Sequence, residues 1–253
     1  MDYSNEDIEL IYEYAAKRGC SDIYEVKQYY DMTFPQKKYD LYLEMLENDS
    51  YNIIGIDTRT TGIEEDDELL KLSVVDKSCD CLFDDYFLPV NKTNWRKAEK
   101  IHHISPNMVK NKLTFESRIT EIQRIINDAD LIVGYNILFD INNLRKQDIY
   151  IGKNMPVADV MRMFAPIYAE RRNDDYYTDY KWQKLNTCAS YYFGKQSIDY
   201  HTSLADVEAT MQCFRAILTL DYKPFKTLFD EVGGWDEIFD YYRDKKRSKT
   251  ISI

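Results

Sequence analysis

The stretch from Asn52 to Gly62, Asn-Ile-Ile-Gly-Ile-Asp-Thr-Arg-Thr-Thr-Gly, constrains the fold more than any other part of the chain. Ile53 to Ile56 form a short apolar run, largely β-branched and bounded by polar residues, which predicts a buried strand. Side chains alternate between the two faces of a strand, so Asp57 and Arg59 project to the same side. A strand end that presents two polar groups on one side suits a metal ion or a pair of catalytic groups.

The segments before this strand read as helical. Ser4 followed by Asp7 is an N-cap pattern, and Ile8, Ile11, Tyr12 and Ala15 recur at helical spacing. A second helix is predicted over Ser21 to Tyr30, and a third over Lys37 to Leu46 beyond the break at Pro35. After the strand, Leu69 to Val75 and Cys81 to Val90 predict two more strands in an antiparallel meander, and the acidic run Glu64 to Glu68 reads as a solvated loop. Phe115 to Ile126 carries its apolar residues on one helical face. A further strand is expected at Leu131 to Val133, leading through a turn into a helix. A last helix is expected over Trp235 to Tyr242, before a basic end.

Two other stretches stand out. Asn136-Ile-Leu-Phe139-Asp140 follows the Leu131 strand through a turn, with Leu144 one helical turn beyond Asp140. By itself Asp140 is an ordinary acid in the first turn of a helix, favoured there by the helix dipole. His201-Thr-Ser-Leu-Ala-Asp206 precedes a helix predicted to begin at Asp206, whose apolar residues Val207, Met211, Phe214, Ile217 and Leu218 face a core. The adjacent His102 and His103 cannot share one face and have no carboxylate at ligand spacing, so they do not read as a metal site. Tyr176, Tyr177, Tyr180 and Trp182 lie beside Arg171, Arg172 and Lys181, a mixture that suits stacking of unpaired bases. With 22 tyrosines in the chain, clustering by chance is the competing explanation.

In order and in spacing, these stretches resemble the three motifs of the DEDDh 3'–5' exonucleases of the ribonuclease H-like superfamily. The first family motif reads Asp-x-Glu-Thr-Thr-Gly, and here it is Asp57-Thr58-Arg59-Thr60-Thr61-Gly62. The second, Asn-x-x-Phe-Asp-x-x-x-Leu, is matched at Asn136, Phe139, Asp140 and Leu144. The third pairs His201 with Asp206. Ile101 to Ser105 is similar to an Ile-His-Gly-Ile-Thr segment that borders the family's substrate groove. The resemblance implies an α/β fold, a mixed β-sheet flanked by helices, over residues 49–220. Residues 1–48 would then be a helical extension and 221–253 a helical tail.

It further implies Asp57, Asp140 and Asp206 as ligands of two Mg2+ or Mn2+ ions and His201 as general base. Thr58, Arg59, Thr60, Thr61, His103, Asn136 and Phe139 would meet the substrate, a single-stranded DNA or RNA 3' end. The N-terminal helices, apart from the resemblance, read as a packing element or as a dock for a protein partner. Two ions about 4 Å apart can clamp the attacking and leaving oxygens of an in-line displacement, and an imidazole is suited to take the proton of water.

One position departs from the pattern: Arg59 stands where the family has glutamate. Four carboxylates would balance two divalent ions, whereas three aspartates and one arginine sum to minus two. A guanidinium also pairs bidentately with carboxylates and competes with metal for them. Hydrolysis weakened or lost is therefore expected, with a non-catalytic nucleic-acid or protein-binding module as the second reading.

The rest of the composition narrows the class. A net charge of −11 provides no general basic field for coating long duplexes. Five scattered cysteines without a Cys-x-x-Cys pair suggest neither a zinc site nor a disulfide framework. The acidic start and the lack of any membrane-length apolar run predict a cytoplasmic protein without membrane contact.

Overall fold

A computed structural model describes residues 11, 16, 18–171, 180–194, 202–231, 233–236 and 240. Among them, helices α1 (Ile23–Thr33) and α2 (Gln36–Glu47) precede strands β1 (Ile53–Thr60), β2 (Leu69–Asp76) and β3 (Cys81–Tyr86). Helices α3 (Arg96–His102) and α4 (Pro106–Val109), a 3-10 turn (Phe115–Arg118) and α5 (Ile119–Asn127) lead to β4 (Leu131–Gly134). Then come α6 (Ile137–Lys146), β5 (Val157–Asp159), α7 (Val160–Tyr168), α8 (Leu185–Phe193) and α9 (Ser203–Ala216). A π-helical turn (Ile217–Tyr222) and α10 (Lys223–Glu231) follow. The first expected helix lies outside the described residues apart from Ile11, as does most of the one expected over Trp235 to Tyr242.

Residue contacts divide the chain into two units. One comprises Met1–Glu44, Ala165–Lys181 and Ala216–Ile253, the other Met45–Phe164 and Trp182–Arg215. The second unit holds the mixed sheet, in the order β3-β2-β1-β4-β5. The expected meander is its antiparallel half, β1 with β2 and β2 with β3, while β1, β4 and β5 run parallel.

Register decides which side chains share a face. Ile54 and Ile56, with Leu72, Val74 and Phe83, pack against Ile122 and Ile126 of α5 and Ile137, Ile141 and Leu144 of α6. On the opposite face Gly55 lies across from Val75, Asp57 from Ser73, and Arg59 from Lys71. A side chain at 55 would meet Val207 Cγ2 at 2.9 Å and Met211 Cε at 3.2 Å, so glycine is what lets α9 lie close on β1.

Three element ends differ from the sequence expectation, each for a local reason. The helix expected from Phe115 starts as a 3-10 turn, because both the backbone N–H and the hydroxyl of Ser117 donate to Thr114 O. The strand expected to reach Val90 stops at Tyr86, and Pro89 cannot donate to a ladder. The helix expected at Asp206 starts at Ser203, since Thr202 accepts the Ala205 and Asp206 amides.

The first unit has a core of rings. Phe34 lies 5.3–5.7 Å from Tyr30, Tyr39, Tyr222 and Phe225, centroid to centroid. Arg18 pairs with Asp221 at 2.6 Å, donates to Ile167 O at 3.2 Å and lies 5.6 Å over the Tyr29 ring.

Candidate functional site

Three elements of the sheet-bearing unit converge at the carboxyl end of β1. β1 itself supplies Asp57 and Arg59 on the α9 face, as the alternation predicts. α9, seated over Gly55, supplies Asp206 from its first turn. α6 supplies Asp140 from the other side of the sheet; it starts at Asn136, whose left-handed φ of 60° turns the chain sharply out of β4. Asp140 Oδ1 accepts both the Thr58 N–H at 2.8 Å and the Thr58 hydroxyl at 2.6 Å, and only 3% of Asp140 is exposed.

Arg59 closes this cluster. Its Nη1 donates to Asp57 Oδ2 at 2.5 Å and to Thr58 O at 3.2 Å, and its Nη2 pairs with Asp206 Oδ2. One guanidinium therefore ties a carboxylate of the strand to a carboxylate of the helix. Burial works against its charge, but Asp57 and Asp206 outweigh that and push its pKa above the ordinary range. Burial pushes the Asp57 carboxyl up to about 6, against the pull of Arg59 and Lys71. Asp140 is driven well above the usual carboxylate range by burial first and by the charge of Asp57 second. With three carboxylates facing one guanidinium, the deepest group, Asp140, is where a proton relieves the excess.

The family resemblance implies a pair of divalent ions at this site. The residues here do not fit a pair of them: a cation already bonds two of the three carboxylates, and it stands where a fourth carboxylate would be needed. Among the described residues, no group of three or more His, Cys, Asp or Glu is arranged to hold a metal ion. Glu68 cannot swing in as a replacement without giving up the Val90, Asn91 and Lys92 amides that its carboxylate accepts at 2.7–2.8 Å.

Beside the cluster lies a cavity of about 430 Å3, walled by Thr58, Arg59, Thr60, His102, Phe139 and Asp206 and rimmed by the exposed Ile63 and Ile101. His103 is not part of this wall. It occupies the left-handed end of α3 (φ 59°), exposed, whereas His102 is turned inward. His102 Nδ1 accepts the Ile104 N–H at 3.0 Å, which leaves Nε2 to donate to Thr60 O at 3.1 Å. Burial keeps its pKa below the ordinary 6.5. Thr61 donates to Asp67 and Asn136 is exposed at the α6 cap; neither lines the cavity. His201, and the segment with Arg172, Tyr176 and Tyr177, lie outside the described residues. A second cavity, of about 470 Å3, is walled by Glu65, Asp66, Asp67 and Glu68, a poor host for phosphates.

Sequence reasoning missed one part of the α9 face. Lys71 pairs with Asp84 at 3.0 Å and lies 4.6 Å over Tyr86, while Ser73 bonds Asp84 and Ser203, both at 2.5 Å. The signal was present as alternation in Leu70-Lys71-Leu72-Ser73-Val74, but only the β1–β2 register places these residues beside Arg59 and Asp57.

Residues 54–214 match the exonuclease family (RNase_T). The chain belongs to that family. This exonuclease-family chain shares its ribonuclease H-like fold with E. coli exonuclease I. The zinc-bound complex of exonuclease I with single-stranded DNA aligns at TM-score 0.55 and 17% identity, covering 71% of this chain and 43% of that one. The complex with a dT13 oligonucleotide aligns at TM-score 0.53 and 19% identity, covering 72% and 43%. The exonuclease-family chain thus spans less than half the length of these structures. No curated protein matches it. Among the described residues no helix is long and apolar enough to cross a membrane.

Proposed function

We propose that this exonuclease-family chain takes single-stranded DNA or RNA 3' ends into the cavity beside β1 and that hydrolysis by two divalent ions is weakened or lost. The observation that carries the proposal is the Arg59 guanidinium bonded to both Asp57 and Asp206. In this reading Asp57, Asp140, Asp206 and His201 are what remains of a catalytic set. Thr58, Thr60 and Phe139 shape the pocket for the terminal nucleotide. A fixed cation at the centre of the carboxylates repels a divalent ion and ties up its ligands, and it lowers, without cancelling, the negative charge that an anionic strand meets there. The same feature favours the second reading, a binding module without turnover, over a module that meets only proteins.

A 5'-labelled single-stranded oligonucleotide incubated with Mg2+ or Mn2+ tests this, with Arg59→Glu and Asp206→Ala in parallel and strand binding measured alongside. The expected result is binding by the parent chain, and 3' trimming by Arg59→Glu at least about tenfold faster than by the parent. Trimming by the parent as fast as by Arg59→Glu, abolished in Asp206→Ala, would show that the site tolerates arginine. If the parent binds no strand, the nucleic-acid reading falls.

A further inference from the structure

The sheet-bearing unit carries an exposed aromatic–cation pair at the same carboxyl edge of the parallel strands. β5 ends at Asp159, α7 begins at once, and the Arg162 guanidinium in its first turn lies 5.5 Å over the Trp182 ring. Trp182 is 53% exposed and the Arg162 side chain 56%. A lone exposed indole would be unremarkable, but this one is held in place. Tyr135, at the end of β4, donates its hydroxyl to the carbonyl of Gln183 at 2.8 Å, next to Trp182 in sequence. Asp159 Oδ1 accepts the Asn136 N–H at 3.0 Å and the Met161 N–H at 3.1 Å, so the end of β5 is joined to the start of the helix that carries Asp140.

The charge around the pair suits an anion. The Arg162–Asp159 ion pair is long, at 3.6 Å, which leaves the guanidinium donors available to another acceptor. Lys184 is exposed at the cap of α8, whose first turn contains no acidic residue. In a chain with net charge −11, this indole has a guanidinium over its ring and an exposed lysine two residues further along the chain.

We infer that Trp182 and Arg162 form a stacking subsite for an unpaired base of the bound strand, with the adjoining phosphate meeting Arg162 and Lys184. The inference rests on the proposed function and adds a second point of attachment away from Asp57. Stacking on an indole face is tolerant of sequence, and arginine contributes both charge and a cation–π contact. The subsite reads the base and its phosphate, so DNA and RNA engage it alike.

Fluorescein-labelled oligothymidylate and oligouridylate, titrated with the full chain in EDTA, test it. The expected result is binding of both strands, weakened at least about fivefold in Trp182→Leu and largely retained in Trp182→Phe. Tryptophan emission should be quenched as strand is added to the parent, and the quench should be lost in Trp182→Phe. Equal affinity for parent and Trp182→Leu, with both melting alike, overturns the subsite while leaving the proposed function intact. No binding by the parent overturns both. Binding of only one of the two strands shows that sugar chemistry, not base stacking, dominates, and it too overturns the inference.

Discussion

Each unit buries an arginine against aspartate, one partner in the first and three in the second, and the two arrangements differ in how far the charge is matched. In the ring-filled unit Arg18 pairs with Asp221, bonds the Ile167 carbonyl and lies over Tyr29, with both charged side chains 4% exposed or less. At the end of β1 one Arg59 faces Asp57, Asp206 and Asp140, and the pair partners are 12–19% exposed. The first arrangement stabilises a fold that has been built around it. The second is electrostatically unfinished, since carboxylates outnumber the cation and solvent still reaches them. Asp57, Asp140 and Asp206 carry more negative charge than Arg59 offsets.

Stability measurements would sharpen the contrast. Arg18→Met leaves Asp221 buried without its partner and should cost about 3–5 kcal/mol in denaturant unfolding. Arg59→Met should cost less, about 1–2 kcal/mol, because the more accessible carboxylates can take up protons or hydrate. Equal losses would erase the distinction between the two pairs.

Next in size is a pH effect at Asp140. Its pKa is raised on folding, so the folded chain holds a proton that the unfolded chain releases near 3.8, and stability falls as pH rises from there. Asp140→Asn keeps an acceptor for the Thr58 amide and removes that penalty. It should be more stable than the parent near neutral pH, with the difference vanishing below about pH 4. A difference that grows on acidification would refute the assignment of the proton.

The smallest effect has the opposite sign. His102 has its pKa lowered, so the unfolded chain binds a proton first, and stability is lost as pH falls below 6.5. His102→Gln should remove roughly 1 kcal/mol or less of that acid-side loss, measured by melting across the acidic range. An unchanged slope would mean that the imidazole is not held neutral by its two backbone bonds.

Much of this geometry could be read from single residues and their spacing. Alternation along β1 put Asp57 and Arg59 on one side, and the spacing of Asn136, Phe139 and Asp140 placed an acid in a first helical turn. The β1–β2 register is a long-range fact beyond that reach, so nothing in the sequence singles out Lys71 and Ser73. The choice between His102 and His103 was equally hidden, because it depends on a left-handed residue ending α3 rather than on any periodicity. Helix starts slipped by a few residues where a threonine or serine bonded the neighbouring backbone.

Gly55 shows how such a site can change its chemistry while keeping its frame. The distance between α9 and β1 is set by Val207 and Met211 closing over a position without a side chain, one step along the strand face from Asp57. Contact of this kind is indifferent to charge. A replacement at position 59 therefore changes the charge beside Asp57 and Asp206 without touching the contact that sets the spacing of α9 and β1.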